Sequence, residues 1–231
     1  MNASSIRSLD DYTSGRGVMV AHRACQHGGE GSIPIRPHLS LASTPSSRSI
    51  CDNITDNHHS YVKSTQRGGR AVDYLIYADC SEHKTNTLVG TIGYAFAGVR
   101  LNRPMFSFFQ IDQVKSGTRS VEQSRRIAVC FRYTLVKDMP KNFASQALSI
   151  SLRLLKREWK SKYEADLVGV FTMVMPPWKG TCFKAANFQF IGETSGAEIM
   201  THSTNHKKNA IMAGKNLRIL AYRYGWKEKE R

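Results

Sequence analysis

From Tyr61 onward the chain carries a readable alternation of apolar and polar positions. Ala71 to Ala78 alternates, the polar run Ser81 to Asn86 interrupts it, and Leu88 to Ala97 resumes with small and β-branched side chains. Two such runs around a short polar break predict neighbouring antiparallel strands, with Gly90 and Gly93 marking a close backbone approach or a bulge. Ile127 to Val136 alternates again, placing Ile127, Val129, Phe131, Tyr133 and Leu135 on one face, and predicts a long strand. After Asp138-Met139-Pro140-Lys141 the period lengthens to that of a helix. Asn142 is its expected cap, and Leu148, Leu152, Leu155 and Trp159 form one apolar stripe. Asp166 to Met175 is apolar on both faces, as a strand covered on both sides must be. A Pro176-Pro177 turn, a short helix around Thr181 to Asn187, a strand over Gln189 to Glu193, a polar loop and a last strand over Leu217 to Tyr224 follow. Strands and helices interleaved in this way predict an α/β fold with a mixed central sheet flanked by helices.

Residues 1–55 show no sustained period and are rich in Ser, Gly, Pro, His and Arg. They are expected to form an irregular, poorly structured basic extension, with the folded domain spanning residues 56–231. His22, Cys25 and His27 lie close together, and Cys80 with His83 repeats the spacing of a ligand pair. No second pair closes a four-ligand set in zinc-finger order, so no metal is assigned. Between Val99 and Ser124 lies an irregular stretch in which aromatics follow Arg100 and Arg103. It reads either as a stacking surface for an extruded base or single strand, or as a flap over the core.

Charge changes the picture most. Of 231 residues, 33 are Lys or Arg and 18 are Asp or Glu, a net charge of +15 and a pI near 9.8. Cations in that excess release counterions from a phosphate backbone, which makes nucleic acid the leading partner. The length suits one domain with a core, or one domain and a tail. Cys25, Cys51, Cys80, Cys130 and Cys182 are odd in number and scattered, so they predict no disulfide framework and fit a reducing cytoplasm. Met1 to Gly15 holds Asp10 and Asp11 and no apolar run, so neither a signal peptide nor a membrane span is expected there.

The junction of strand and helix at residues 136–145 carries candidate chemistry. A helix start leaves backbone N–H groups unpaired and presents the positive end of its dipole, and Lys137 and Lys141 add charge beside it. Val136, Lys137, Lys141, Asn142, Ala144 and Ser145 are therefore the candidate anion site. A coenzyme A pyrophosphate fits it, with the pantetheine arm along the strand edge from Phe131 to Val136. An ordinary capped helix after an ordinary strand is the alternative, and the residues alone leave both open.

Two segments, Met139-Pro140-Lys141-Asn142-Phe143-Ala144-Ser145 and Gly180-Thr181-Cys182-Phe183-Lys184-Ala185-Ala186-Asn187-Phe188, bring a family into view. With weaker support from His59-Ser60-Tyr61, Leu88 to Gly93 and Leu217 to Tyr224, the chain from about His59 to Tyr224 resembles the Mom-like DNA-modification proteins of phages and the DruA-like defence proteins, relatives of the GNAT acyltransferase fold. The resemblance implies a GNAT-like domain, a coenzyme A thioester (acetyl-CoA) as cofactor, and modification of the exocyclic amine of adenine in DNA. That modification would shield phage DNA from restriction in the host cytoplasm. The family usually has tyrosine, a proton donor to the departing thiolate, where this chain has Phe183, so the role passes to another residue or is absent. The remaining catalytic candidates are Asp138, Ser145, Cys182 and Asn187. Lys179 and Lys184, with Arg100 and Arg103, are the candidate nucleic-acid contacts. The alternative is a non-catalytic DNA-binding module of the DruA-like kind.

Overall fold

The structure, a computed structural model, describes residues 35–59, 70–80, 85–97, 103–111, 125–136, 139–194 and 216–225. In chain order the elements are β1 (Arg36–Leu41), α1 (Pro45–His58), β2 (Ala71–Cys80), β3 (Thr85–Phe96), α2 (Arg103–Phe109), β4 (Ile127–Leu135), α3 (Phe143–Tyr163), β5 (Gly169–Val174), α4 (Thr181–Ala185), β6 (Gln189–Glu193) and β7 (Arg218–Arg223). The strands pair in the order β1-β2-β3-β4-β5-β7-β6. β4 and β5 pair in parallel; β1–β2, β5–β7 and β6–β7 are antiparallel. This is the mixed α/β sheet that the hydrophobic pattern predicts.

The chain divides into two compact units, and β2, β3, β4 and α3 run through both. Of the described residues, the first holds 35–59, 73–80, 85–93, 132–136 and 139–151. Its core joins Ala42, Cys51 and Ile54 to Leu75 of β2 and Leu88 of β3. Helix α1 begins at a capping box that no sequence expectation anticipated: the Ser47 N–H donates to Thr44 Oγ1 and the Thr44 N–H to Ser47 Oγ, each at 3.1 Å, with Pro45 in the first turn. Residues 36–55, expected within an irregular extension, are largely strand and helix instead. Residues 36–58 form β1, which pairs along β2 from Arg36↔Asp79 to Leu41↔Tyr74, and α1. The signal was weak because β1 is six residues long and α1 carries few large apolar side chains. Residues 1–34, with His22, Cys25 and His27, lie outside the described residues. Gly90 makes the expected close approach: a Cβ there would clash with the Thr134 carbonyl and the Leu135 side chain.

In the same unit the second half of β4 departs from its apolar reading. The alternation groups Ile127, Val129, Phe131, Tyr133 and Leu135, yet the more deeply buried positions along β4 beyond Ile127 are Ala128, Cys130, Arg132 and Thr134. Arg132 is buried because its charge is met on both sides: one guanidinium nitrogen lies 2.5 Å from Asp52 Oδ1 and the other 2.6 Å from Asp73 Oδ1.

Of the described residues, the second unit holds 70–72, 94–97, 103–111, 125–131, 152–194 and 216–225. The stretch after Val99 is not wholly irregular: α2 buries Met105 and Phe109 against Ile127, Phe171, Ile219 and Ala221, which favours the core flap over a base-stacking surface for these rings. Arg100 and the Arg103 side chain lie outside the described residues. The stripe on α3 is as expected: Leu152, Leu155 and Trp159 are buried in this unit, and Leu148 is buried in the first. At the far end of that helix Tyr163 Oη donates to the Ala71 carbonyl at 2.9 Å, and the Trp159 indole N–H donates to the Arg125 carbonyl at 3.0 Å. The β4–β5 ladder covers three residue pairs, Ile127↔Gly169 to Val129↔Phe171. Beyond it Thr172 Oγ1 donates to the Cys130 carbonyl at 3.0 Å.

Candidate functional site

In the first unit the predicted anion seat sits at the start of α3. Asn142 has φ +68°, left-handed rather than the extended backbone of an ordinary N-cap, so its expected capping role changes. Its carbonyl does the work instead, accepting from the Gln146 N–H at 2.9 Å and from Ser145 Oγ at 3.0 Å. The Phe143 N–H is engaged by the Pro140 carbonyl at 3.1 Å. That leaves the Ala144 and Ser145 N–H groups as first-turn donors without a protein acceptor among the described residues. They carry the positive end of a 21-residue helix, and Lys141 is exposed next to them. The seat is thus narrower than the sequence suggested, two amides rather than the whole run from Asn142.

A strut that sequence reasoning missed fixes this helix start. Tyr133 Oη on β4 donates to the Ala144 carbonyl at 2.7 Å, tying the first turn of α3 to the strand before it. Its signal was present only as an aromatic hydroxyl ten residues before a helix start. Val136, assigned to the cofactor, donates its N–H to the Val89 carbonyl at 3.0 Å and so has no backbone donor left for a ligand. Ser145 Oγ donates back into its own turn, to the Asn142 carbonyl, the structural bond expected of a serine at a helix start. Lys137 and Asp138 lie outside the described residues.

In the second unit Gly180 opens α4 in the left-handed region, φ +66°, and a Cβ there would run into Leu220 of β7. The helix is five residues long and closes on Asn187, also left-handed at φ +66°, whose N–H donates to the Lys184 carbonyl at 3.0 Å. Asn187 is exposed, and its observed part is to end the helix. Phe183, where the resemblance expects tyrosine, is buried. It meets Phe188 edge to face, 5.2 Å between centroids; Phe188 packs on Tyr222, and Tyr222 on Tyr224. The ring at position 183 therefore belongs to an aromatic column under α4. Burial pushes the Cys182 thiol above its ordinary value, and backbone hydrogen bonds at Phe183 and Cys182 offset this only in part. A thiol so placed is a poor nucleophile at neutral pH. Lys179 and Lys184 are exposed, as phosphate contacts require.

Beside α4 the turn Pro176-Pro177-Trp178-Lys179 forms, with Glu193, Asn216 and Arg218, an open groove of about 560 Å³. None of the sequence expectations placed Trp178 or Arg218 in a site. Among the described residues no group of three or more His, Cys, Asp or Glu is placed to hold a metal ion. No helix among them is long and apolar enough to cross a membrane.

No protein-family model and no curated protein matches the sequence. Solved structures do match. One is Arabidopsis thaliana NAA60 in complex with acetyl-CoA, with a TM-score of 0.51 and 12% identity, covering 82% of this chain and 99% of that one. AAC(6')-Ib in complex with ribostamycin and coenzyme A follows at a TM-score of 0.47 and 8% identity, covering 82% and 94%. The ribosomal-protein-S5-alanine acetyltransferase from Vibrio fischeri gives 0.43 and 14%, covering 99% and 98%. Taken with the strand order and the helix that follows β4, the likeness to NAA60 shows that the chain has the fold of the GNAT acetyltransferases.

Proposed function

We propose that the chain is an acyltransferase that uses a coenzyme A thioester, acetyl-CoA, to acylate the exocyclic amine of adenine in DNA, a Mom-like modification that protects phage DNA from host restriction. The observation that carries the cofactor is the pair of first-turn amides at Ala144 and Ser145, beside Lys141, in a fold that in NAA60 accompanies acetyl-CoA. The observation behind the substrate is the net charge of +15.

These donors fit a pyrophosphate: two amides without a protein acceptor among the described residues and an ammonium complement its oxygens, with Tyr133 holding the turn in place. When bound, the thioester supplies an acyl carbon activated toward amines and a thiolate leaving group. The chain must do the rest. An adenine amine is a weak nucleophile because its lone pair is delocalised into the ring, so its proton has to be taken as it attacks and it has to be held close. Asp138 is the carboxylate assigned to that proton. Arg100, Arg103, Lys179 and Lys184 are assigned to DNA phosphates, and the target base leaves the stack to reach the site.

A second reading, a DNA-binding module of the DruA-like kind without catalysis, is favoured by one group of observations. Ser145 and Asn187 make local structural hydrogen bonds, burial raises the Cys182 thiol, and Phe183 packs in an aromatic column. Mass analysis of nucleosides from DNA incubated with the protein and acetyl-CoA separates the two. Acylated deoxyadenosine is expected under the first reading, and its absence with DNA binding retained selects the second.

A further inference from the structure

We infer that the groove beside the Pro176-Pro177 turn is a nucleotide subsite, in which Trp178 stacks on an unpaired base of a DNA strand while Lys179 and Arg218 hold its phosphates. The inference rests on the DNA reading above and adds to it the place where a base is held outside the duplex.

Exposure is the first observation. Trp178 is 55% exposed, while Trp159 is fully buried. A large aromatic ring held in solvent at the lip of a groove offers a ready stacking face to a planar ligand. Rigidity is the second. Two prolines with restricted backbone precede Trp178, and its own N–H donates to the Met175 carbonyl at 3.0 Å, so the ring is carried on a closed turn whose backbone is already ordered.

Charge selects the occupant. Lys179, next along the turn, is exposed, and Arg218 stands at the start of β7, paired in register with Val174 of β5 and Glu193 of β6. Its Nε lies 3.9 Å from Glu193 Oε1, which restrains the guanidinium without a close hydrogen bond. Two cations around an aromatic face are the elements by which proteins bind single strands: bases stack, phosphates pair. Glu193 and Asn216 add an acceptor and an amide suited to a base edge. The groove, about 560 Å³, falls within the range of small-ligand pockets and has room for a nucleotide. A duplex buries the faces of its bases, so an indole can reach one only if that base is extruded or its strand unpaired.

The test uses the full chain and its Trp178→Ala variant, with unfolding midpoints measured first to show that the exposed position leaves the fold intact. Three probes are titrated: a short single-stranded oligodeoxyadenylate, an abasic oligomer with the same number of phosphates, and coenzyme A. The variant is expected to bind the base-bearing oligomer roughly five-fold or more weakly, the loss typical of one stacking aromatic. The abasic oligomer and coenzyme A are expected to bind both forms alike. Equal affinity of the two forms for the base-bearing oligomer overturns the subsite. A loss confined to coenzyme A also overturns it and gives the groove to the cofactor's own adenine. If the unaltered chain binds neither oligomer at low salt, the DNA reading itself fails. If it binds both, steeply with salt, and Trp178→Ala changes nothing, only the subsite fails.

Discussion

Replacing Arg132 with methionine tests how the unit carrying the α3 start is held together. Methionine keeps most of the side-chain length and removes the charge. Arg132 has no exposed side-chain surface, and its partner Asp73 is 2% exposed, so that pair is desolvated on both sides. Asp52, the other partner, is 36% exposed, and its share is screened by solvent, worth about 0–1 kcal/mol. Loss of the guanidinium leaves the Asp73 carboxylate buried without its cation, which costs about 3–5 kcal/mol. Against a total stability of roughly 5–15 kcal/mol for a domain, that is a large fraction. The double variant Arg132→Met with Asp73→Asn removes both charges and should recover most of the loss, because an uncharged amide in the same space carries a far smaller desolvation cost. Urea unfolding followed by circular dichroism measures both, read as shifts in midpoint at constant slope. A single variant that loses less than about 1 kcal/mol, or a double variant no more stable than the single, would refute the reasoning.

Two further outcomes are expected. Lys141→Glu places a negative charge beside the Ala144 and Ser145 amides, and should weaken coenzyme A binding in calorimetry by about 1 kcal/mol or more with the unfolding midpoint nearly unchanged, since Lys141 is exposed; unaltered binding removes the pyrophosphate from this helix start. Because burial raises the Cys182 thiol, its thiolate fraction at any pH is below that of an ordinary cysteine, so alkylation of Cys182 followed by peptide mass analysis should reach half its maximal rate at a higher pH than in the urea-unfolded chain; a lower midpoint in the folded chain would restore Cys182 as a nucleophile.

Elements with a strong period were legible from the residues. The stripe of α3 and the neighbouring β2 and β3 strands follow from side-chain spacing, which depends only on local geometry. The helix start was legible too, since every helix end leaves amides outside its own ladder; which of them the described residues engage was not, because that depends on where Pro140 and Asn142 turn the backbone. What tertiary structure alone decided lies in partners far apart in sequence. Arg132 interrupts an apolar strand and reads as a solvent-facing charge until Asp52 and Asp73, 80 and 59 residues away, are brought to it. Phe183 reads as a lost proton donor until Phe188 and Tyr222 appear around it as a packed column. Trp178 reads as a turn residue until Arg218 of β7 and Glu193 of β6 arrive beside the same groove. Periodicity encodes which face of an element meets a core, because that follows from the chain's own helical or pleated repeat. It does not encode which distant residue waits on that face, because that is set by sheet order and register, which arise only when the whole chain has folded.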